Sequence, residues 1–120
     1  MVDPKVTKEL VDGYYDRLSK KEEWGSLLSD EFLCTGTGIK ESMGREAYVN
    51  NTFFKGIKSL KVKSMLIDGD KACAVVSYDL ISSKGNNFKA DVAEIWKIKN
   101  GKLDSIAIYF DTAFFQKAMA

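Results

Sequence analysis

Residues Phe88 to Ile98 read FKADVAEIWKI, and this stretch decides the fold class. Apolar and polar side chains alternate along it, which is typical of a β-strand with one buried face. Glu94 is the single charged residue on the apolar face. The stretch therefore predicts a long strand that carries a carboxyl group toward the core. The apolar face holds Phe88, Ala90, Val92, Glu94, Trp96 and Ile98, and the opposite face holds Lys89, Asp91, Ala93, Ile95 and Lys97.

Turn signals on both sides predict that neighbouring strands pair with this one as hairpins. Asp68-Gly69-Asp70 and Asn100-Gly101 are typical hairpin turns, and residues 82–87 form a third polar turn. Residues 60–66, 72–81 and 103–110 lie between these turns and are rich in β-branched and apolar residues. The sequence thus predicts four consecutive antiparallel strands.

Upstream of residue 57 the apolar period is helical. Asp3-Pro4 is a typical helix start, and the stripe runs from Val6 through Leu10, Val11, Tyr14 and Tyr15 to Leu18. Shorter helices are predicted at 22–28, 44–54 and 112–119, with a short strand at 32–35. Helices followed by hairpin-linked strands predict one α+β domain over residues 1–120. A sheet covered by helices on one face has to curve, and the resulting cavity is the usual place for a ligand.

The composition excludes several classes of function. The chain has 120 residues with 18 Lys and Arg against 17 Asp and Glu, so it lacks the basic excess of a nucleic-acid-binding protein. No apolar run reaches the roughly 20 residues of a membrane span. The N-terminal residues show no signal-peptide pattern, so we expect a cytoplasmic location.

The absence of His restricts the possible chemistry further. A Ser-His or Cys-His nucleophile pair and a His-ligated metal site are both excluded. Cys34 and Cys73 are too few and too far apart for a disulfide framework or a zinc site. We therefore expect neither metal nor cofactor. Any catalytic group has to be Asp, Glu, Tyr, Lys or Cys.

Three residues are candidates for catalysis. Glu94 is either a general acid or base with a raised pKa, or a structural carboxylate satisfied by polar neighbours. Tyr14 lies at the centre of the helical stripe, where it is either an oxyanion donor or a core tyrosine. Asp111 is either a carboxylate at the pocket mouth or the N-cap of the last helix. A further carboxylate, Asp79, lies on a strand face whose direction the sequence leaves open.

Four aromatic residues are candidates for the cavity wall, although core packing is the simplest interpretation of most of them. They are Tyr48, Phe53, Tyr78 and Trp96.

The order of elements resembles the SnoaL-like domain, within the superfamily of nuclear transport factor 2 and ketosteroid isomerase. The resemblance is carried by WGSLLSDEF at 24–32, GREAY at 44–48, IDGDKA at 67–72, AEIWKIKNGKL at 93–103 and YFD at 109–111. It spans nearly the whole chain and implies a cone-shaped open barrel with helices packed into a strongly curved antiparallel sheet. The superfamily holds enzymes, binding proteins and interaction modules, so the resemblance specifies fold better than activity.

The resemblance also implies a set of site residues. Ketosteroid isomerases use a Tyr on the first helix, where this sequence has Tyr14, and a protonated Asp before the last hairpin, where it has Glu94. Their proton-shuttling Asp aligns near Gly36, and no carboxylate occurs within one residue of that position. The ending Tyr109-Phe110-Asp111 resembles that of limonene epoxide hydrolases. Those enzymes pair the Asp with an Arg-x-Asp motif on an earlier strand, whereas residues 77–79 of this sequence are Ser-Tyr-Asp.

The implied function is binding of a small apolar molecule inside the cone, with cofactor-free isomerisation or cyclisation of a carbonyl compound as the chemistry. The alternative is a non-catalytic module for dimerisation or ligand binding. Relatives of this kind commonly dimerise through the outer sheet face, and we expect a homodimer here.

Overall fold

The computed structural model describes residues 3–119. It begins with α1, Pro4–Ser19, where the Asp3 side chain accepts a hydrogen bond from the Lys5 N–H and Pro4 occupies the first turn. The buried face of α1 differs from the predicted stripe at one end, because Val6 is 40% exposed and Thr7 is buried. The Thr7 hydroxyl donates to the Gly69 carbonyl, so the start of the helix is tied to the first hairpin turn. The buried residues of α1 are Thr7, Val11, Tyr14, Tyr15 and Leu18.

Two of the predicted helices are shorter than the pattern suggested. The segment expected to be helical over 22–28 contains only a 3₁₀ helix, Gly25–Leu27, and Leu28 already begins a strand. The helix expected over 44–54 divides into α2, Arg45–Val49, and a 3₁₀ helix, Thr52–Gly56. The division occurs at Asn51, whose side chain accepts from the Phe53 N–H and caps the second segment.

The sheet has six strands, one more than the five predicted, which were the short strand 32–35 and the four strands of the meander. The four strands of the predicted meander are present; three are longer than expected, and the last has the expected eight residues, shifted by one position. The first predicted strand, 32–35, extends to β1, Leu28–Gly36, and a two-residue strand β2, Met43–Gly44, pairs with it. The remaining elements are β3 Ile57–Asp68, β4 Lys71–Ile81, β5 Asn87–Lys99, β6 Lys102–Tyr109 and the helix α3 Thr112–Met119.

The strand order is β2-β1-β6-β5-β4-β3, and β1 pairs parallel to β6 while the other pairs are antiparallel. Shifts of register interrupt the ladders between Ile57 and Ser59, between Val62 and Ser64, and between Lys97 and Ile98. Bulges of this kind bend a strand and increase its twist. The sheet curves around α1 without closing, and the predicted α+β cone is confirmed.

Gly36 ends β1 in a conformation that only glycine adopts readily, with φ +138°. A Cβ at this position would lie 2.0 Å from the Ile108 carbonyl oxygen of the neighbouring strand β6. The chain then turns away from the sheet into the loop that leads to β2.

The deep end of the cone is filled by aromatic side chains. The ring of Tyr14 packs edge-on against Trp24 and Trp96, with centroids 5.2 and 4.6 Å apart. Tyr14, Trp96 and the neighbouring Phe32 are fully buried. None of the helices within residues 3–119 is long and apolar enough to cross a membrane.

Candidate functional site

Glu94 occupies the centre of the inner face of β5, as the alternation predicted. Its neighbours on that face, Val92 and Trp96, are buried, and Glu94 itself is 5% exposed. It lies opposite Ala74 on β4 and Ile108 on β6. The carboxyl group is therefore held by the middle of the sheet, where neighbouring strands on both sides restrict its backbone.

Two tyrosine hydroxyls donate to the Glu94 carboxyl group. Tyr15 Oη donates to Oε1 at 2.5 Å, and Tyr78 Oη donates to Oε2 at 2.9 Å. The Trp96 indole N–H donates to the Tyr15 oxygen at 2.9 Å, which orients that hydroxyl toward Glu94. Both carboxyl oxygens thus have a partner although the group is buried, as a buried polar group requires.

The balance of these interactions leaves Glu94 able to exchange a proton near neutral pH. Burial removes the carboxylate from water and raises its pKa, and the hydrogen bonds from Tyr15 and Tyr78 oppose this rise. The resulting pKa is about 7. Burial and the nearby Glu94 raise the pKa of both Tyr15 and Tyr78 far above the ordinary value, so both remain neutral donors.

A second tyrosine pair lies beside this cluster. The hydroxyls of Tyr14 and Tyr48 are 2.7 Å apart, and either one can be the donor. Burial is the largest cause that raises the pKa of each, so the pair is neutral. Tyr48 borders the cavity described below and Tyr14 lies behind it. When Tyr14 donates to Tyr48, the Tyr48 hydroxyl is free to donate into the cavity.

The outer half of the cone is hollow, with a cavity of about 150 Å³. Its wall is almost entirely apolar, and Glu94 is the only carboxylate among the lining residues within 3–119, with no Lys or Arg beside it. Cys34 is fully buried in the wall, and burial together with Glu94 raises the pKa of its thiol to about 11. The other lining residues are Thr37, Gly38, Ile39, Met43, Tyr48, Asn51, Phe53, Phe54, Tyr78, Val92, Ile108, Phe110 and Phe115.

The cavity wall includes three of the four aromatic residues predicted to form it. Tyr48, Phe53 and Tyr78 line the cavity. Trp96 does not, because its ring is fully buried at the deep end of the cone, where its N–H supports Tyr15. The Trp96 side chain contributes to the site through that hydrogen bond.

The three predicted catalytic candidates are not brought together. Glu94 borders the cavity, but its partner is Tyr15 rather than Tyr14, whose hydroxyl pairs with Tyr48. Asp111 is exposed and lies outside the cavity. Its side chain accepts from the Phe114 N–H at 3.0 Å, which is the N-cap interaction that was the alternative interpretation.

The sequence contained a weak signal for Tyr15. Adjacent helical residues point about 100° apart, and a wide buried stripe admits both Tyr14 and Tyr15. Without the sheet register, however, nothing indicates which hydroxyl reaches Glu94. Asp79, whose direction was open, lies on the outer face of β4, whereas its neighbours Tyr78 and Leu80 are buried. Among residues 3–119 no three His, Cys, Asp or Glu side chains are grouped as metal ligands would be.

The backbone is similar to several crystal structures of low sequence identity. A Kribbella flavida protein provisionally assigned as a ketosteroid isomerase shares 22% identity, with a TM-score of 0.77 over 92% of this chain and 82% of that one. A provisionally assigned SnoaL-like polyketide cyclase from Jannaschia sp. CCS1 shares 13% identity, with a TM-score of 0.82 over 96% and 92%. None of the protein-family models matches this sequence, and no curated protein does.

A similar backbone also occurs in a designed protein. A de novo designed protein with a curved β-sheet shares 15% identity, with a TM-score of 0.72 over 98% of this chain and 94% of that one. These similarities confirm that the chain has the NTF2-like fold shared by SnoaL-like and ketosteroid-isomerase-like proteins. At sequence identities this low, the similarities establish the fold and not the function, which has to be inferred from the cavity.

Proposed function

We propose that the cavity binds a small, largely apolar carbonyl compound and that Glu94 transfers a proton on it without a cofactor. The observation that carries this proposal is a single buried carboxyl group, with a pKa of about 7, at the border of a largely apolar cavity. A group that titrates near the working pH is suited to accept and return a proton.

The volume of the cavity limits the size of its ligand. An apolar protein cavity of about 150 Å³ binds benzene, and the cavity here has about the same volume. The enclosed part of the ligand is therefore about the size of one six-membered ring. A fused multi-ring steroid exceeds this space.

The proposed reaction is a proton shift next to a carbonyl group. The Glu94 carboxylate removes a proton from the carbon beside the carbonyl, and the electron pair of the broken C–H bond forms an enolate. The Tyr48 hydroxyl donates to the enolate oxygen in the arrangement in which Tyr14 is the donor of the Tyr14–Tyr48 hydrogen bond. In a ketone with a β,γ double bond the enolate is conjugated with that bond, and Glu94 returns the proton to the γ-carbon, which moves the double bond and isomerises the compound. Alternatively, the enolate carbon attacks a second carbonyl group of the same molecule, the oxygen of that group takes the proton from Glu94, and the compound is cyclised.

Tyr78 couples the protonation of Glu94 to the cavity. When Glu94 is ionised, Tyr78 donates to Oε2. When Glu94 carries the proton on that oxygen, the carboxyl O–H donates to Tyr78, and the Tyr78 hydroxyl turns its own proton toward the cavity. One proton on Glu94 thus changes the cavity-facing hydroxyl from an acceptor to a donor.

The second candidate function is ligand binding without catalysis. It is favoured by the complete pairing of the Glu94 oxygens with Tyr15 and Tyr78, which a purely structural carboxyl group also needs. The two candidates differ in whether a bound ketone exchanges its protons.

Exchange of the α-hydrogens of cyclohexanone in D₂O, followed by ¹H NMR, tests the proposal directly. We expect the wild-type protein to accelerate exchange and Glu94→Gln to abolish the acceleration while cyclohexanone still binds. Glu31→Gln is the matched control, because Glu31 is exposed on β1. Binding without any acceleration supports the second candidate, and absence of binding contradicts both.

We also propose that the protein is a homodimer that associates through the outer face of the sheet. A band of apolar residues crosses the strands at adjacent positions of the register. Three of them are strongly exposed: Leu66 at 74%, Ile95 at 41% and Tyr109 at 49%. One row of the band is Leu66, Cys73, Ile95 and Ala107, and the next is Ser64, Val75, Ala93 and Tyr109.

Charged residues of both signs border this outer band. Asp68, Lys71 and Lys97 form the next row on one side, and Lys63 and Asp91 pair at 3.2 Å on the other. An apolar centre with a polar rim is the usual composition of a protein interface. Because each rim carries both signs, a second copy is a suitable partner in a two-fold dimer.

A further inference from the structure

The cavity is separated from a larger surface cleft by two aromatic rings. The cleft lies between the 3₁₀ helix Thr52–Gly56, the end of β4 and α3, and it has a volume of about 510 Å³. Asn51 borders both the cavity and the cleft, and so do the rings of Phe53 and Phe115. Their ring centroids are 6.1 Å apart, so the two side chains together form the partition.

The outer cleft has an apolar floor that no residue between 3 and 119 covers. Leu80 is buried there, while Ile81 and Met119 are each 39% exposed. Phe88 is partly buried and packs against Phe115 with centroids 5.7 Å apart. Ser82, Ser83, Thr52 and Lys55 supply a polar margin, and Lys55 is exposed.

The partition is held less firmly than the rest of the wall. Phe115 belongs to α3, and none of the residues of α3 is fully buried. Its ring contacts Phe53, Phe88 and Phe110 through aromatic packing alone. A change of the Phe115 rotamer, or a small movement of α3, would join the cavity to the cleft without breaking a buried hydrogen bond.

We infer that the ligand has two parts: a compact oxygen-bearing ring in the cavity and an apolar tail that passes Phe115 into the outer cleft. This inference rests on the proposed function for the ring. In this inference the carbonyl oxygen lies at Tyr48 and the adjacent carbon at Glu94, and the substituent leaves the ring on the side of Phe115, whose own ring packs against Phe53, Phe88 and Phe110. Alkyl-substituted cyclic ketones are the substrate class that this shape accepts, and the tail contributes affinity while the ring undergoes the chemistry.

A series of 4-alkylcyclohexanones, from the parent ketone through methyl, propyl and pentyl, tests the inference by calorimetric or NMR titration. The substituent is opposite the carbonyl group and so extends toward Phe115. A methylene that leaves water for an apolar site gains about 0.8 kcal/mol, roughly a three- to fourfold increase in affinity. We expect such an increase along the series until the cleft is filled.

Three variants identify where the tail lies. Ile81→Asp places a charge in the cleft, and we expect it to remove the gain from the tail while leaving the affinity for cyclohexanone unchanged. Phe115→Ala removes one of the two rings of the partition, and we expect it to strengthen binding of the pentyl compound and to weaken binding of the parent ketone. Phe114→Ala is the matched control on the same helix, because Phe114 is 48% exposed and borders neither the cavity nor the outer cleft.

The outcomes separate this inference from the proposed function. Cyclohexanone binding with an affinity that stays flat along the series overturns the tail site and leaves the function of the cavity intact. A gain with tail length that persists in Ile81→Asp also overturns it. If cyclohexanone fails to bind and the pentyl compound binds only when Ile81 is present, the cleft is a site in its own right and the proposed function fails.

Discussion

The Tyr15 hydroxyl donates to Glu94 at 2.5 Å although the two residues are 79 positions apart in the chain. The Trp96 N–H, two residues from Glu94 on the same face, donates to the oxygen of that hydroxyl. Tyr15 therefore connects α1 to β5 through two buried hydrogen bonds. Because the Trp96 N–H occupies the Tyr15 oxygen, Tyr15 acts as a donor to Glu94. Of the two tyrosine partners of Glu94, Tyr78 is the one that can change from donor to acceptor.

The raised pKa of Glu94 predicts a specific loss of stability as the pH rises. The unfolded chain releases this proton near the ordinary value of 4.5, and the folded chain releases it near 7. The folded state binds the proton more tightly, so this contribution is fully present below pH 4.5 and is lost as the pH rises through 7. A shift of this size corresponds to about 3 kcal/mol.

Denaturant unfolding of wild type and Glu94→Gln at a series of pH values measures this contribution. We expect the free energy of unfolding of the wild type, relative to the variant, to fall by about 3 kcal/mol between acid and mildly alkaline pH. Gln can accept from Tyr15 and donate to Tyr78, so the variant keeps both contacts. Parallel pH curves for the two proteins would show that the carboxyl pKa is not raised.

Tyr15→Phe and Tyr14→Phe are expected to differ in their effect on Glu94. Tyr15→Phe removes a donor that lowers the Glu94 pKa, so that pKa rises above about 7. It also leaves the Trp96 N–H without its acceptor, which costs about 1–3 kcal/mol of stability. Tyr14→Phe removes only the bond to Tyr48, worth roughly 0.5–1.5 kcal/mol, and leaves the Glu94 pKa unchanged.

Titration of the Glu94 side-chain carboxyl by ¹³C NMR distinguishes these tyrosine variants. The assignment of Tyr15 as the partner of Glu94 fails if Tyr14→Phe moves the titration midpoint and Tyr15→Phe does not.

Replacement of Asp111 is expected to affect the last helix and not the chemistry. Asp111→Ala removes the side-chain cap of α3 and should cost about 1 kcal/mol, whereas Asp111→Asn retains a capping oxygen and should cost little. Exchange of the cyclohexanone hydrogens should be equal in both variants. If Asp111→Asn no longer exchanged the cyclohexanone hydrogens, while amide hydrogen exchange showed that α3 is intact, Asp111 would be a catalytic residue after all.

Ile95→Lys is expected to convert the proposed dimer to a monomer. Ile95 lies in the apolar band on the outer face, and a lysine there would bring like charges together at the interface. Light scattering should give a mass near 26.8 kDa for the wild type, twice the chain mass of 13.4 kDa, and a mass near 13.4 kDa for the variant. Val6→Lys is the control, since Val6 is comparably exposed at 40% but lies on α1. A wild-type mass near 13.4 kDa rejects the dimer.

The strands after residue 57 could be predicted because local signals determine them. Alternation fixes which face of β5 is buried, and turns such as Asp68-Gly69-Asp70 join neighbouring strands, so register follows from sequence neighbours. These signals placed Glu94 correctly on the inner face.

Relationships between distant segments could not be predicted in the same way. In the parallel pairing of β1 with β6, Leu28 lies opposite Leu103, and no local sequence pattern predicts this pairing. The partner of Glu94 depends on the rotation of α1 against β5, which decides between Tyr14 and Tyr15. Asp111 suited two roles by sequence, and only the position of α3 relative to the cavity separates them.

Gly36 restricts how this cavity could acquire a second carboxylate. A Cβ there would lie 2.0 Å from the Ile108 carbonyl oxygen. Any residue other than glycine would therefore clash at this position. Cys34, two residues earlier on the same strand, already lies in the cavity wall and can be replaced there. A carboxylate introduced by Cys34→Asp would lie close enough to Glu94 for the two groups to share one proton, because the charge of Glu94 already raises the pKa of the Cys34 thiol.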